Sequence, residues 1–158
     1  MKGYWKQIIM ITFALALAAA GCKPPDLAGI VRQDSEAINK GDFASIMSRY
    51  TEDAVLIARP FCPPEVPCNG KFAIEQAYRN MISGGTSATV VSQEVSGNTV
   101  KSRMEVRGGP AKAAGVERFV YYNTVTFVGD KIAKKVTEYD MSDSQTATFL
   151  KWVQAQSQ

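Results

Sequence analysis

The sequence predicts an α+β domain with a cone-shaped fold, in which three N-terminal helices pack against a curved antiparallel sheet and a further helix ends the chain. Apolar residues with helical spacing dominate residues 27–82. The following part is a run of β-branched and aromatic segments separated by short turns that contain glycine. Helices segregated from an antiparallel sheet are typical of the α+β class. The length of 158 residues fits one such domain.

The first 21 residues have the pattern of a signal peptide. A short basic start carries Lys2 and Lys6, and the apolar run at residues 8–20 is too short to cross a membrane comfortably. Of the eighteen basic residues, sixteen remain without these two lysines, against fifteen acidic residues. This near balance gives no electrostatic case for binding nucleic acid.

The stretch at residues 19–22, Ala-Ala-Gly-Cys, is similar to the lipobox of bacterial lipoproteins, although Ala19 replaces the usual leucine. The resemblance implies that Cys22 is acylated and becomes the first residue of the mature chain, with residues 22–26 as lipidated cysteine and tether. We therefore expect an exported lipoprotein facing the periplasm or the cell exterior. Lys23 after the cysteine favours the outer membrane in a Gram-negative cell. The alternatives are a plain signal peptide that leaves a free thiol, and an uncleaved anchor.

The two remaining cysteines, Cys62 and Cys68, lie close together in a proline-rich loop. An exported domain with one such pair suggests a disulfide. Two cysteines without neighbouring ligands do not make a zinc site, so we expect neither metal nor cofactor. The sequence has no histidine, which excludes Ser-His-Asp and Cys-His catalysis. Any acid–base chemistry must come from carboxylates, tyrosine or lysine.

The helical elements follow from apolar spacing and from the residues that begin and end helices. A first helix is predicted from Pro25 to Lys40, and Gly41 ends it. Asp42 can cap a second, short helix, and Gly70 opens a third. A C-terminal helix is predicted for residues 143–154.

The strands begin with a short buried one at residues 55–58, which follows a polar turn at residues 51–53. Two hairpins follow. The first joins residues 88–95 to 99–107, and the second joins 116–128 to 131–139. A loose small-residue loop is expected between the hairpins, at residues 108–115.

Asp34 is the unusual residue of the first helix. It lies on the same face as Leu27, Ile30, Val31 and Ile38, which is otherwise apolar. A carboxylate on such a face must be hydrogen-bonded, paired or open to a cavity.

Several segments together resemble the nuclear transport factor 2-like superfamily in its SnoaL-like branch. They are INKGDF at residues 38–43, YTEDAV at 50–55, Gly70 with Ile74 and Tyr78, VTF at 125–127, GDKI at 129–132 and Tyr139-Asp140. The resemblance covers residues 27–143 and leaves 144–158 as a C-terminal helix and tail. It implies a curved sheet and three helices around a pocket, and dimerisation through the sheet face.

The ketosteroid isomerases of this superfamily provide a specific mechanism to compare. They use a tyrosine on the first helix and an aspartate on a late strand as oxyanion hole, and an aspartate after the first strand as base. By alignment the corresponding positions are Asp34, Asn123 and Ala58. Because the base is absent, we do not expect the steroid isomerase mechanism here. Asp34 remains the candidate catalytic residue.

The resemblance and the strand pattern place seven residues at the expected pocket: Asp34, Tyr50, Ala58, Tyr78, Phe119, Tyr121 and Asn123. The alternative for Asp34 is a buried structural carboxylate bonded to a tyrosine or a backbone amide, and for Asn123 a satisfied core amide. An Arg–carboxylate site made of Arg103, Glu105 and Arg107 is a weaker candidate than a solvated sheet face or a dimer contact.

The sequence is consistent with three functions. The first is a lipid-anchored, extracytoplasmic domain that binds a small, mostly apolar molecule. The second is a cofactor-free isomerase, cyclase or hydrolase that uses Asp34. The third is a protein–protein interaction module of the cell envelope.

Overall fold

A computed structural model of the chain describes residues 24–82 and 85–156. The predicted signal peptide, Cys22 and Lys23 lie outside these ranges. The described helices are α1 Leu27–Lys40, α2 Phe43–Ser48, α3 Gly70–Ile82, α4 Gly109–Ala113 and α5 Ser144–Gln156. The strands are β1 Tyr50–Ile57, β2 Cys68–Asn69, β3 Thr86–Ser96, β4 Thr99–Gly108, β5 Arg118–Val128 and β6 Lys131–Tyr139. No helix in these ranges is long and apolar enough to cross a membrane.

All six strands form one curved sheet in the order β2-β1-β6-β5-β4-β3. The predicted α+β class is confirmed, but the expectation of a purely antiparallel sheet is wrong. β1 pairs with β6 in parallel, whereas the other neighbours are antiparallel. The parallel pair arises because the chain passes through α3 and the β3–β5 meander before it returns beside β1.

Helix α1 is bounded by a side-chain cap and a glycine. The carboxylate of Asp26 accepts a hydrogen bond from the Gly29 N–H at 2.8 Å, so the helix begins at Leu27 rather than at Pro25. Gly41 adopts a left-handed conformation with φ of 65°, and its N–H donates to the carbonyl groups of the last turn. These ends fix the rotation of α1, which places Asp34 on the face that packs against the sheet.

Strand β1 is longer than predicted. The expected polar turn at residues 51–53 is part of the strand, and a register irregularity against β6 lies between Tyr50 and Val55. Glu52 and Asp53 are exposed there, so their side chains stay in water and the strand needs no desolvation of their charges. Val55 is only half-buried, and the expectation of a strand buried on both faces is therefore wrong.

A bulge in β6 determines which of its side chains face the helices. Phe127 pairs with Ile132, and Thr126 pairs with Lys134, which leaves Ala133 as an extra residue. Ile132 and Lys135 are consequently both buried, although three positions separate them. Lys134 remains exposed.

The segment expected to be a loose loop contains the short helix α4. It follows Gly108, whose φ is 70° and at which a Cβ would lie 2.5 Å from the carbonyl oxygen of Gly85. Only glycine fits this close approach. Helix α5 begins after Asp143, whose carboxylate accepts from the Thr146 N–H at 2.9 Å. Helix α4 packs against β3, β4 and β5, and α5 packs against β5.

Candidate functional site

The sheet, α1, α3 and α5 enclose a cavity of about 330 Å³, here called the main cavity. Its volume lies at the lower end of the usual range for small-molecule pockets, about 300–1,000 Å³. Its walls are mostly apolar and aromatic. They are formed by Ile38, Ala58, Arg59, Pro60, Phe61, Met81, Thr86, Ala88, Val106, Pro110, Phe119, Tyr121, Thr137, Tyr139, Phe149, Trp152, Val153 and Gln156.

Aromatic rings from the sheet and from α5 build one wall of the main cavity. The rings of Phe119 and Phe149 stack with centroids 4.0 Å apart and nearly parallel planes. The Trp152 ring is stacked with Phe149 at a centroid distance of 6.1 Å, and the Tyr139 ring lies 5.8 Å from Phe149. Helix α5 therefore supplies part of the wall, in addition to covering the sheet.

The disulfide loop borders the same cavity. Cys62 and Cys68 are joined with an S–S distance of 2.05 Å, as the sequence predicts. Pro60 and Phe61, just before the bridge, line the main cavity. The Tyr139 hydroxyl donates to the Arg59 carbonyl at 2.6 Å, which ties this segment to the sheet.

A smaller cavity of about 40 Å³, here called the inner cavity, adjoins the main one. The two cavities share a set of lining residues: Ile38, Ala58, Phe61, Met81 and Tyr121. Beyond these, the inner cavity is lined by the apolar Leu56, Cys62 and Ala77 and by Tyr78 and Lys135, which are both buried. The main cavity thus adjoins a smaller, mostly apolar cavity with a polar end formed by Tyr78 and Lys135.

That polar end belongs to a buried cluster of four side chains. The Lys135 ammonium donates to Asp34 Oδ2 and to the Tyr78 hydroxyl, each at 2.9 Å. The Tyr78 and Tyr50 hydroxyls are hydrogen-bonded at 2.7 Å. The other carboxylate oxygen, Asp34 Oδ1, is buried without a hydrogen-bond partner among the described residues.

The cluster keeps its lysine charged and its tyrosines neutral. Burial opposes the charge of Lys135, but the Asp34 carboxylate and the neighbouring tyrosines outweigh it and raise the pKa of Lys135 well above its usual range. Burial raises the pKa of Tyr50 and of Tyr78. It also raises the pKa of Tyr121 to about 12.

The predicted pocket residues divide into two groups. Ala58, Phe119 and Tyr121 line the main cavity, and Tyr78 lines the inner one. Asp34, Tyr50 and Asn123 are buried beside the cavities but are not among the residues that line them.

Asp34 Oδ2 and Asn123 Oδ1 each bond a side chain that the sequence did not identify, whereas Asp34 Oδ1 has no partner among the described residues. Asp34 was expected to be hydrogen-bonded, paired or open to a cavity, and it is paired with Lys135. Asn123 Oδ1 accepts from the Thr137 hydroxyl at 2.8 Å, and this side chain is 2% exposed. Neither residue lines the main or the inner cavity, so the structure does not bring the two together at one cavity.

Lys135 is the functional candidate that the sequence did not reveal. Strict strand alternation from the inward-facing Ile132 would place Lys135 on the solvent face. The bulge at Ala133 reverses this placement and turns the ammonium group inward. The Asp34 position on an apolar helix face was the one indication that a buried cation was needed.

The charged residues of β4 lie on the other face of the sheet. Met104 and Val106 of this strand are buried, whereas Arg103, Glu105 and Arg107 alternate with them. Glu105 pairs with Arg107 at 2.8 Å and with Arg118 at 3.5 Å. None of the three predicted residues lines either cavity. Within residues 24–82 and 85–156, no group of three or more potential metal ligands occurs.

Comparison with known proteins gives a family and a set of similar folds. The family model of the SnoaL-like domain matches residues 31–135. A Sinorhizobium meliloti protein described as a candidate polyketide cyclase is 17% identical, with a TM-score of 0.58 over 72% of this chain and 94% of its own. A Kribbella flavida protein described as a candidate ketosteroid isomerase is 13% identical, with a TM-score of 0.60 over 72% and 77%.

A computationally designed binder of 17-OHP is also similar in structure. It is 11% identical, with a TM-score of 0.62 over 76% of this chain and 95% of its own. At these identities the structural likenesses show the fold alone. No curated protein sequence matches the chain.

Proposed function

Because the chain belongs to the SnoaL-like domain family, we propose that it uses the cavity of this fold to bind a small, mostly apolar molecule, as a lipid-anchored binding protein outside the cytoplasm. The main cavity carries the proposal, since its walls are built largely from aromatic and aliphatic side chains. An apolar ligand that enters such a cavity removes its own apolar surface from water, and this favours binding. A designed protein of the same fold binds 17-OHP, which supports a binding role.

Two observations favour binding over catalysis. The position that corresponds to the isomerase base is Ala58, which has no group to take a proton. The buried carboxylate, Asp34, is paired with Lys135 and is not in the wall of either cavity. A general base must reach the proton that it abstracts. The isomerase- or cyclase-type alternative would therefore need a group other than Asp34.

The membrane anchor rests on the sequence around Cys22. Helix α1 begins at Leu27, so a lipid on Cys22 would hold the domain close to the membrane surface. Mass spectrometry of the mature N-terminus tests the anchor. We expect a diacylated or triacylated Cys22, and we expect Cys22→Ser to release the protein from the membrane fraction. An unmodified Cys22 would contradict the anchor and leave the binding proposal standing.

Native mass spectrometry of the domain taken directly from its source membrane tests the binding role. We expect a retained small molecule on the wild-type protein. Ala58→Leu places a larger side chain where the two cavities meet and should abolish retention. Ala113→Leu adds the same atoms at an exposed position of α4 and should not affect it. Absence of any retained molecule, or equal retention by both variants, would argue against the cavity as the site.

A further inference from the structure

The ammonium group of Lys135 makes fewer hydrogen bonds to the described residues than it has N–H donors. A lysine ammonium has three N–H donors. Among the described residues, two hydrogen bonds use them, one to Asp34 and one to Tyr78. Lys135 also lines the inner cavity, which is large enough for one polar group or a water molecule. The third N–H has no partner among the described residues, and the other residues that line the inner cavity are mostly apolar.

The charges around Lys135 define what kind of group fits there. Asp34 already balances the lysine at 2.9 Å, so the pair carries no net charge. A second carboxylate brought into this apolar cavity would be a buried anion without its own counter-ion, which is strongly unfavourable. A neutral acceptor oxygen takes the free N–H without adding charge. The site therefore distinguishes neutral acceptors from anions.

We propose that Lys135 and Tyr78 form a subsite for a neutral acceptor oxygen, such as a carbonyl, at one end of the apolar ligand. The ring or chain of the ligand lies in the main cavity between the aromatic wall and the disulfide loop. Its oxygen reaches past Ala58 and Tyr121, which line both cavities. This inference rests on the proposed binding function and specifies the ligand class for the same site.

Three probes of similar shape test the subsite: 2-ethylnaphthalene, 2-acetylnaphthalene and 2-naphthoate. The first has no acceptor, the second a neutral carbonyl and the third a carboxylate. Their binding to the full folded domain is measured by equilibrium dialysis at neutral pH. We expect 2-acetylnaphthalene to bind about tenfold more tightly than 2-ethylnaphthalene. We expect 2-naphthoate to bind more weakly than 2-acetylnaphthalene.

The variants isolate the contribution of Lys135. Lys135→Met alone leaves Asp34 buried without a partner, so the test uses the double variant Asp34→Asn/Lys135→Met, which removes both charges. In this variant the affinity ratio of the acetyl and ethyl probes should fall to about one. Lys134→Met, an exposed neighbour on the same strand, should keep the wild-type ratio.

The outcomes separate this inference from the binding function on which it rests. Equal binding of the ethyl and acetyl probes by the wild-type protein would overturn the subsite and leave the apolar binding function intact. Tightest binding of 2-naphthoate would overturn the selectivity for neutral acceptors. Failure of all three probes to bind would overturn the binding function and the subsite together.

Discussion

Asp34 on α1 and Lys135 on β6 form an ion pair with an O–N distance of 2.9 Å, although 101 positions separate them in the chain. Their side chains are 3% and 7% exposed, so water screens this pair very little. The pair connects the first helix to the sheet directly beside the inner cavity. It therefore contributes both to the packing of α1 against the sheet and to the polarity of the inner cavity.

The first prediction concerns the stability of this pair. Lys135→Met should lower the free energy of unfolding by about 3–5 kcal/mol, because it leaves an uncompensated buried carboxylate. The double variant Asp34→Asn/Lys135→Met should recover most of this loss, since replacing both charges of a buried pair is often close to neutral. Urea unfolding of the wild-type protein and both variants measures the difference. A double variant less stable than Lys135→Met would contradict the account.

The bulge of β6 and the polar part of β1 show where sequence reasoning succeeded and where it stopped. Apolar periodicity, helix caps and hairpin turns depend on neighbours in sequence, and they predicted the α+β class and both hairpins. The inward turn of Lys135 depends on one extra residue, Ala133, opposite a partner strand. Likewise, only pairing across the sheet shows that residues 51–53 belong to β1. Information of this kind is not local in the chain.

The second prediction is a loss of stability at alkaline pH. The pKa of Tyr121 is raised from its usual value of 10.0 to about 12, and the pKa of Lys135 is also raised. A group whose pKa is raised in the folded protein contributes its full stabilisation of the fold below the pKa that it has in the unfolded chain. This contribution is lost as pH rises towards the pKa of the group in the folded protein. Urea midpoints should therefore fall between about pH 10 and pH 12.

The variant Tyr121→Phe provides the matching control for the alkaline effect. It removes one of the ionising groups, so its stability should fall less steeply over the same pH range. An unchanged or rising wild-type midpoint in this range would contradict the raised pKa values of Tyr121 and Lys135.

The third prediction concerns the disulfide. Cys62 and Cys68 are only six positions apart, and loss of a bridge across so short a loop should lower the free energy of unfolding by about 2 kcal/mol. Denaturant unfolding of the wild-type protein with and without reductant measures this effect. The double variant Cys62→Ser/Cys68→Ser should show the lower stability under both conditions. A response of that variant to reductant would point to another cause.

The same double variant should also weaken ligand retention. The segment just before the bridge, with Pro60 and Phe61, forms part of the main cavity. Without the bridge the loop has more conformations in the free protein. Binding must then order the loop, and this costs conformational entropy. Unchanged affinity would show that the loop shapes the cavity without help from the disulfide.

The fourth prediction tests the role of α5. Phe149 is 2% exposed and stacks on Phe119 with ring centroids 4.0 Å apart. Phe149→Ala should cost about 3–5 kcal/mol of stability, as removal of a buried aromatic ring usually does. Phe149→Leu should cost less, because it keeps a large apolar side chain at this position. Thermal or urea unfolding that showed no change for Phe149→Ala would contradict the packing of α5 on the sheet.

The most direct test of the central claim, that an apolar molecule occupies the main cavity, is an NMR titration of methyl-labelled protein with 2-ethylnaphthalene. We expect saturable shifts at the methyl groups of Val106 and Val153, which line the main cavity. The exposed Val66 and Val128 should be unaffected. Shifts confined to the exposed valines, or no shifts at any of the four, would contradict the claim.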